Sequence, residues 1–493
     1  MCRDQNDGKH STKNTLKNEV FEKEDMSSLI HVHNSKGTES MMLEPYCATR
    51  EKLRKEGMVI YDDQCYKIDN FVPHHPGGSE LLKQHLGTDI SFIFRAMHED
   101  PEAIMKRRKP SRAATKKELS ALSERRAEVA RAMLSESSME FPAYVKKIHK
   151  FDVNAFEQDM MQLYKSFVSK GYFVPSLAFF IQRNLILLAL LSASLSLMRL
   201  FPDSFLAPGI MLGLFWHQSG YMMHDGEHHN FPGNERVNDI LGWLYGTVFL
   251  GVNGAWWREE HREHHALLNT YDESGFKDPQ MKEDVWVQNK KLLQFFGDEW
   301  IHVVLYIQHI TFLPIIFIFG RIGILIDSTL TERKFRPWTI FGNCCHVALI
   351  YSIISQTNRT FGVYAVAALW QAILSLQLVG NHYTKPWNKV NSATEGNFAL
   401  WQILSTQDFS CPPYIWWMYG GLNFHYSHHV FPKLSREFFY ITSPLLKAVC
   451  DKHGVPNVRI GFLNCCLQMV QNFRNIAEDI SKQGHRGLAQ AYT

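Results

Sequence analysis

The chain has 493 residues, a formal net charge of +3 and 20% charged residues. This length predicts more than one folded unit, and the absence of a long basic stripe argues against a nucleic-acid-binding protein. Aromatic residues make up 13% of the chain and include 12 Trp, which is typical of proteins at membrane interfaces. The mean hydropathy of −0.21 excludes a chain that is embedded in the membrane throughout. The nine Cys form no CxxC pair, so we predict reduced thiols rather than disulfides.

The N-terminal part divides into a tail and a small domain. Residues 1–45 are polar and lack the apolar core of a signal peptide, so we predict a disordered tail that stays in the cytosol. Short β-like runs at Met58–Tyr61 and Cys65–Ile68 precede Gly, Pro and helical spacing. This pattern predicts a small α+β domain over residues 46–108.

A linker region over residues 109–172 follows. Residues 109–140 are dense in Lys, Arg, Glu and Ala and predict a solvated linker helix. Residues 151–172 place apolar side chains on one face, which predicts an amphipathic helix. That helix either lies on the membrane surface or docks against protein.

Residues 173–470 predict an all-α membrane domain, and residues 471–493 a C-terminal tail. Four segments are apolar and long enough to span a bilayer, namely Ser176–Phe201, Phe205–Met223, Trp338–Ser355 and Phe361–Gly380. Val237–Trp257 lies between two His clusters that must face one side, so we predict a re-entrant or interfacial segment. Ile301–Ile326, with Pro314 in its middle, is predicted to lie in the interface.

The charges and one sequon orient these spans. The basic Arg333-Lys334-Phe335-Arg336 precedes the third span and belongs on the cytosolic side by the positive-inside rule. Asn358-Arg359-Thr360 between the last two spans is a glycosylation sequon, which fits a luminal loop. The N-terminus, every His cluster and the C-terminus are then predicted to be cytosolic.

The small domain carries a sequence typical of haem binding. Phe71-Val72-Pro73-His74-His75-Pro76-Gly77-Gly78 is followed by Phe94-Arg95-Ala96-Met97-His98, and the pattern resembles cytochrome b5 over roughly residues 50–105. The resemblance implies haem b with His75 and His98 as axial ligands. Such a six-coordinate iron has no open site for oxygen and passes single electrons. The alternative is an ordinary turn beside two unconnected surface histidines.

Three His clusters occur in the membrane domain, at His224–His228, His261–His265 and His425–His429. On a helix, positions i, i+3 and i+4 share a face, so each cluster directs two or three imidazoles to one point. Many imidazoles in one site suit a redox transition metal, above all iron. The predicted ligands are His224, His228, His261, His264, His265, His425, His428 and His429. That number suits two ions, whereas a single such cluster would more often be a helix surface or core feature.

The surroundings of the clusters are similar to the front-end acyl desaturases, which insert a double bond between an existing one and the carboxyl end. The resemblance covers roughly residues 150–470. It is carried by Gln218–Asp225, Trp256-Trp257, Gly420–Phe424 and Val430-Phe431-Pro432.

The resemblance also gives roles to single residues around the clusters. It implies His382 as a further iron ligand, with a satisfied interfacial histidine as the alternative. His217 and His229 are predicted to be structural, and Gln407 is a polar residue near the third cluster without a defined role. Asp225, Glu227 and Glu263 either orient the histidines through their outer ring nitrogens or are solvated charges.

The expected activity is oxygen-dependent desaturation of a long-chain, polyunsaturated fatty acyl chain at a di-iron centre in the endoplasmic reticulum membrane. Electrons are expected from NADH through a flavin reductase (NADH-cytochrome b5 reductase) and the fused haem domain. The expected partners are the lipid bilayer, the acyl substrate and that reductase, with a homodimer left open.

One position departs from the front-end pattern, because His425 stands where that family usually has Gln. Metal binding should survive the difference, since His is a competent iron ligand, but substrate and double-bond position stay open. A sphingolipid long-chain-base desaturase and a hydroxylase on the same scaffold are the nearest alternatives. A non-catalytic haem carrier is the alternative of another class. A metalloprotease is excluded, since no HExxH occurs.

Overall fold

The computed structural model describes residues 36–140, 151–282, 286–297, 299–331 and 336–491. Residues 1–35 of the predicted tail and Arg333-Lys334-Phe335 of the basic segment lie outside these ranges. The described residues form a small α+β domain followed by an all-α domain with four helices that suit a membrane. The predicted fold class is therefore confirmed.

The N-terminal domain, residues 36–113, is built on a three-stranded antiparallel sheet in the order β1-β2-β3. Its elements are α1 (Lys36–Lys55), β1 (Met58–Tyr61), β2 (Gln64–Lys67), α2 (Ser79–Gln84), α3 (Ser91–Met97), α4 (Pro101–Lys106) and β3 (Arg112–Ala113). The first predicted strand is confirmed, and the second is displaced by one residue. Helix α1 runs through the last part of the predicted tail. Val59, Tyr61 and Ile90 form the core between sheet and helices.

Two helices connect this domain to the rest, α5 (Lys116–Glu140) and α6 (Val153–Ser169). The prediction of a solvated α5 is wrong on one face, because Val129, Ala130 and Met133 are buried against the membrane domain. Their spacing of three and four residues places these side chains on one face of the helix, but the many charged residues between them made this apolar face hard to recognise in the sequence. Helix α6 buries Phe156 and Phe167 in the same cluster, so its apolar face docks against protein.

The membrane domain contains four helices long and apolar enough to cross a bilayer. They are α7 (Leu177–Leu200), α12 (Gln308–Thr331), α13 (Arg336–Ile354) and α14 (Thr360–Gly380). Three of them were predicted as spans, whereas α12 was predicted to lie in the interface. The predicted second span forms α8 (Leu206–Glu227), whose buried His217 and Gln218 lower its hydropathy.

Helix α8 packs along α7 and α14, and all three share one end. There the α7–α8 turn meets the α13–α14 turn, because the Asn358 amide donates to the Pro202 carbonyl at 2.9 Å. The opposite end of α8 carries His224, and we call this end of the membrane domain the cluster side. Both ends of α12 contact elements on the cluster side. Gln308 accepts from the Val287 amide at 2.8 Å, and Ser328 lies against Asn253.

Shorter elements surround the cluster side. They are α9 (Glu235–Trp243), a π-helical turn (Leu244–Leu250), α10 (Gly254–Leu267), β4 (Thr270–Asp272), β5 (Gly275–Phe276), a 3-10 helix (Lys290–Phe295) and α11 (Glu299–Tyr306). After the spans come β6 (Asn388–Lys389), α15 (Val390–Glu395), α16 (Phe398–Leu404), β7 (Asp408–Phe409), α17 (His425–Val430), α18 (Phe439–His453), β8 (Arg459–Ile460) and α19 (Phe462–Ala491). Strand β4 pairs with β5 and β6, and β7 pairs with β8. These short ladders join segments that lie between or after the helices that carry the three His clusters.

Candidate metal centre

Each His cluster sits on a helix that a local feature positions. His224 lies in the last turn of α8, and His228 caps that helix. Asn253 begins α10, because its side chain accepts from the amides of Ala255 and Trp256. The helix that follows carries the second cluster, with His261, His264 and His265 all buried.

The third cluster depends on two glycines. Gly420 and Gly421 both have positive φ, at 53° and 99°, where side chains with a Cβ are strained. A Cβ on Gly420 would also collide with the ring of Tyr221. This tight turn brings α17 against the end of α8, so that His428 faces His224.

The predicted ligands converge in one buried chamber. His224, His228, His261 and His428 form one group, His264, His382 and His429 a second, and His265 joins His428 and His429 in a third. Within each group the ligating nitrogens lie within 4.8 Å of one another. His425 completes the set, with its Nε2 at 2.9 Å from that of His382 and 3.0 Å from that of His429.

These spacings suit metal ligation. Two nitrogens at right angles on one ion, each about 2.1 Å from it, lie roughly 3 Å apart. The Nε2 atoms of His224 and His428 are 3.0 Å apart, and those of His261 and His265 are 3.2 Å apart. Burial, helped by neighbouring imidazoles, holds the pKa of His261, His265 and His428 well below its usual value. The rings are therefore neutral, which is the form that binds metals.

Several ligand rings are oriented by partners on their outer nitrogens. His264 Nδ1 lies 3.0 Å from both carboxylate oxygens of the fully buried Asp278. His261 and His429 pair with the amide oxygens of Gln280 at 2.6 Å and Gln402 at 2.9 Å. His382 Nδ1 pairs with the carbonyl of Ser405 at 3.0 Å. Each partner directs Nε2 into the chamber, as the outer shell of a metal site does.

Of the three carboxylates that the sequence suggested for this task, only Asp225 lies near the outer nitrogen of a cluster histidine in the described part of the chain. Asp225 forms an ion pair with Arg436 at 2.6 Å and is 3.6 Å from His224 Nδ1. Glu227 faces Arg258 at 3.5 Å. Glu263 points to the N-terminal domain, near Gly78.

Three other polar residues near the clusters have structural contacts. His217 pairs with Gln377 at 2.8 Å inside the membrane domain. Gln407 donates to the Gly380 carbonyl at 2.7 Å, which fixes the turn that presents His382. His229 lies beside Asp239 at 3.2 Å and is not grouped with the cluster nitrogens within the described residues.

The N-terminal domain pairs the two predicted axial histidines. The ring centroids of His75 and His98 are 6.3 Å apart, and an iron about 2 Å from each Nε2 requires roughly this separation. His75 Nδ1 pairs with the Gly78 carbonyl at 3.1 Å and His98 Nδ1 with that of Phe94 at 2.8 Å. Both contacts leave Nε2 directed between the rings. The residues present therefore fit a bis-histidine haem.

An apolar cavity starts at the His clusters and runs between α8, α12 and α14. His224, Tyr221 and Trp257 line it near the clusters, and Leu374 and Gln371 line it farther along α14. The walls of this cavity come from segments far apart in the chain.

Comparison with known proteins agrees with this geometry. Residues 204–460 match the Fatty acid desaturase family, and residues 29–165 match the Cytochrome b5-like Heme/Steroid binding domain. The chain is 25% identical to a Delta(8)-fatty-acid desaturase of Arabidopsis thaliana, over 87% of this chain and 93% of the relative. It is 25% identical to an acyl-lipid (9-3)-desaturase of Borago officinalis, over 85% and 90%. A Delta(6)-fatty-acid desaturase of Caenorhabditis elegans is 23% identical, over 84% and 95%. The first match covers more than half of the chain, so this protein belongs to the fatty acid desaturase family and carries a fused cytochrome b5-like domain.

Proposed function

We propose that this chain introduces a double bond into a long-chain, polyunsaturated fatty acyl substrate at a His-ligated di-iron centre, using O2 and electrons from its own haem domain. The observation that carries the proposal is the convergence of imidazoles from α8, α10, α17 and His382 in one chamber that opens to an apolar cavity. Relatives named for Delta(8), Delta(6) and (9-3) desaturation support a front-end substrate.

The proposed ligands are the predicted set: His224, His228, His261, His264, His265, His382, His425, His428 and His429. When bound, two irons would supply the oxidising power that an unactivated methylene requires. The protein holds the ligand rings neutral and aimed inward, through Asp278, Gln280 and Gln402. Neutral ligands leave the positive charge of the ions uncompensated, unlike carboxylate-bridged di-iron bundles.

The cavity contributes position and dryness. Its walls beside His224 are aromatic and aliphatic, so an acyl chain would displace water and lie extended next to the chamber. The overall reaction takes four electrons to reduce O2 to two waters. Two come with the two hydrogens of neighbouring methylenes, and two come singly through haem b held by His75 and His98. NADH would supply these through a separate flavin reductase.

The proposed topology keeps all redox groups on the cytosolic face of the endoplasmic reticulum membrane. Helices α7, α8, α13 and α14 would be the spans, because the α7–α8 and α13–α14 turns meet at one end and the His clusters lie at the other. Helix α12 would lie along the interface, since both of its ends contact the cluster side. We propose the predicted division into tail, haem domain, linker, membrane domain and C-terminal tail, with α1 running across the boundary at residue 45 and α19 across that at residue 470.

Expression in a desaturase-poor yeast fed a panel of polyunsaturated acids tests the proposal. Mass analysis should show products two hydrogens lighter, whereas gain of one oxygen would indicate a hydroxylase and a modified long-chain base a sphingolipid enzyme. His264→Ala and His428→Ala should abolish product and leave the haem absorbance intact. His453→Ala, outside the chamber, is the control. An unchanged lipid profile, or activity retained without these histidines, would overturn the proposal.

The haem ligands are tested with a neighbouring control. His75→Ala should abolish the haem spectrum and electron delivery, while His74→Ala should preserve both, because His74 is exposed. A haem spectrum that survives in His75→Ala would contradict the axial assignment.

A further inference from the structure

The haem domain is seated directly on the membrane domain. Arg50 of α1 forms an ion pair with Glu395 of α15. Phe92 of α3 packs against Phe398 and Phe431, with ring centroids 6.2 Å and 6.0 Å away. These contacts hold the domain in one orientation, with α3 toward the His clusters.

Both sides of the haem pocket face the membrane domain, since Leu81 near His75 and Met97 next to His98 pack against one apolar cluster formed by Ala266, Leu267 and Val390. Ala266 and Leu267 of α10 directly follow His265. The polarisable thioether of Met97 therefore lies between the chain next to His98 and the chain that follows His265.

Glu99, the residue after His98, also lies close to a residue next to a cluster histidine. The ligand-type atoms of Glu99, His229 and Glu235 all lie within 4.8 Å of one another. His229 directly follows His228 of the first cluster. So both chain neighbours of His98 lie close to residues that follow a cluster histidine, Ala266 and Leu267 at the end of α10 and His229 just after the end of α8.

The other axial histidine approaches the clusters through its loop. A Cβ on Gly78 would lie 3.6 Å from Oε1 of Glu263, a residue between His261 and His264. Gly78 also holds His75 through its carbonyl. The haem pocket thus meets α10 along its His-bearing stretch.

We propose that electrons leave the haem on the His98 side and enter the cluster chamber within this docked arrangement, because Met97 packs against the cluster that contains Ala266 and Leu267, and Glu99 lies near His229. The inference rests on the proposed function and deepens it, by identifying the positioning residues for electron transfer. Each event would oxidise one ferrous haem to ferric and deliver one electron to the metal centre. Two such electrons with two protons, together with the two hydrogens removed from the acyl chain, would reduce one O2 to two waters, and a reduced flavoprotein would re-reduce the haem.

The first test follows the haem itself. Reduced full-length protein is mixed with O2 and an acyl substrate, and metal-dependent re-oxidation is taken as the rate in excess of that of His264→Ala. Met97→Ala and Glu99→Ala should each lower this excess rate, and the double variant should lower it roughly tenfold or more, because small displacements along such contacts are costly. Met58→Ala and Glu51→Gln, in the same domain but away from the interface, should leave it unchanged.

The haem midpoint potential is measured in every variant, so that a change in driving force is separated from a change in contact. Rates equal to those of the controls, or a decrease wholly accounted for by potential, would overturn the inference. If the unmodified chain shows no metal-dependent re-oxidation, the proposed function itself fails. The two failures are therefore distinguishable.

The second test reports docking without iron. Glu99 and Glu235 are both exposed, so Glu99→Cys with Glu235→Cys should be joined by a short bismaleimide in full-length protein prepared without metal. Mass spectrometry of the digest identifies the linked peptides. Glu51→Cys with Glu235→Cys is the matched pair and should give no such product. Absence of the 99–235 link would overturn the docked route.

Discussion

At the residue scale, the chamber depends on side chains that lie behind the cluster histidines and pair with their outer ring nitrogens. Asp278 is fully buried, and both of its oxygens lie 3.0 Å from His264 Nδ1. It also accepts from the Asn269 amide at 2.8 Å, which fixes the end of α10. One carboxylate thus orients a ligand ring and anchors the loop that follows.

Asp278→Asn should therefore weaken metal binding without unfolding the chain. The amide keeps the shape but accepts with one oxygen only, and loss of such a partner typically lowers metal affinity or activity about 10–100-fold. Iron per protein, measured by mass spectrometry, should fall while the haem absorbance stays constant. Asp272→Asn, whose carboxylate pairs with Lys277 in an adjacent turn, is the matched control. Equal iron content in both variants would contradict the role of Asp278.

His425 offers a second prediction at this scale. Its Nε2 lies within 3.0 Å of the Nε2 of His429, so it belongs to the chamber although the related front-end sequences usually have Gln there. His425→Gln replaces one neutral ligand with another and should retain iron and product, with changed amounts of double-bond isomers. His425→Ala should lose both iron and product. If His425→Gln loses iron and product as His425→Ala does, in the iron assay and in lipid analysis, the position requires an imidazole.

The candidate site was predictable where its residues are close in sequence. The i, i+3 and i+4 spacing of the second and third clusters puts their rings on one helix face, and the structure brings them together. Asp278, Gln280 and Gln402 were not predictable, because a single polar residue carries no spacing signal, whether it lies in a loop, as Asp278 and Gln280 do, or on a short helix, as Gln402 does. Their roles depend on how the loop after α10 folds back on that helix and on where α16 packs.

At the element scale, the start of α5 is a stabilised joint between the haem domain and the linker. The Thr115 amide donates to Glu118 at 2.9 Å, and the Glu118 amide donates to Thr115 Oγ1 at 3.2 Å, which is a capping box. Arg112 of β3 adds two hydrogen bonds to the same carboxylate, at 2.8 Å and 2.7 Å. These bonds, led by that to Arg112, lower the pKa of Glu118 to about 2.

Glu118→Gln should destabilise the haem domain by about 1–2 kcal/mol at neutral pH. Because the pKa of Glu118 is lower in the folded than in the unfolded chain, its contribution is fully present above the unfolded value, about 4.5. It is lost as pH falls from there toward 2. Thermal unfolding followed by circular dichroism should show a gap between variant and unmodified protein that narrows over this range.

The exposed Glu124, which accepts a hydrogen bond from Ser120 at 2.7 Å, provides the control for that experiment. Glu124→Gln should shift the unfolding temperature little at any pH, since exposed contacts are weak. A gap for Glu118→Gln that is constant with pH would show that the capping geometry, rather than the charge, carries the stability.

Helix prediction was accurate for segments with one dominant signal and failed where two signals compete. The apolar runs of α7, α13 and α14 predict spans that the structure confirms as helices suited to a membrane. Helices α8 and α12 exchange roles by hydropathy alone, because polar residues such as His217 and Gln218 lower the hydropathy of α8, whereas α12 stays strongly apolar despite its buried Gln308, Arg321 and Ser328. Only the contacts at the helix ends, which join distant parts of the chain, show that α8 connects the two sides.

At the scale of the whole molecule, two arginines of the N-terminal half converge on one carboxylate of the membrane domain. Arg50 of α1 and Arg125 of α5 both pair with Glu395. The Glu395 side chain is 5% exposed, against 13% and 20% for the arginines. The helix that carries Glu395 also supplies Val390 to the apolar cluster against which Met97 packs, so we expect this partly buried triad to help hold the haem domain in its docked position.

Glu395→Gln should loosen the two halves of the molecule. The change leaves two guanidinium groups facing each other without a counter-charge, which costs about 2 kcal/mol or more when the site is partly buried. We expect a lower unfolding temperature for the haem domain and slower haem re-oxidation, both more pronounced at low salt, where repulsion is less screened. Glu128→Gln removes an Arg125 partner that is 42% exposed and should change neither quantity. If both variants keep the same re-oxidation rate, the haem domain does not depend on this triad to reach the cluster chamber, and apolar contacts such as those of Phe92 and Met97 must hold it there.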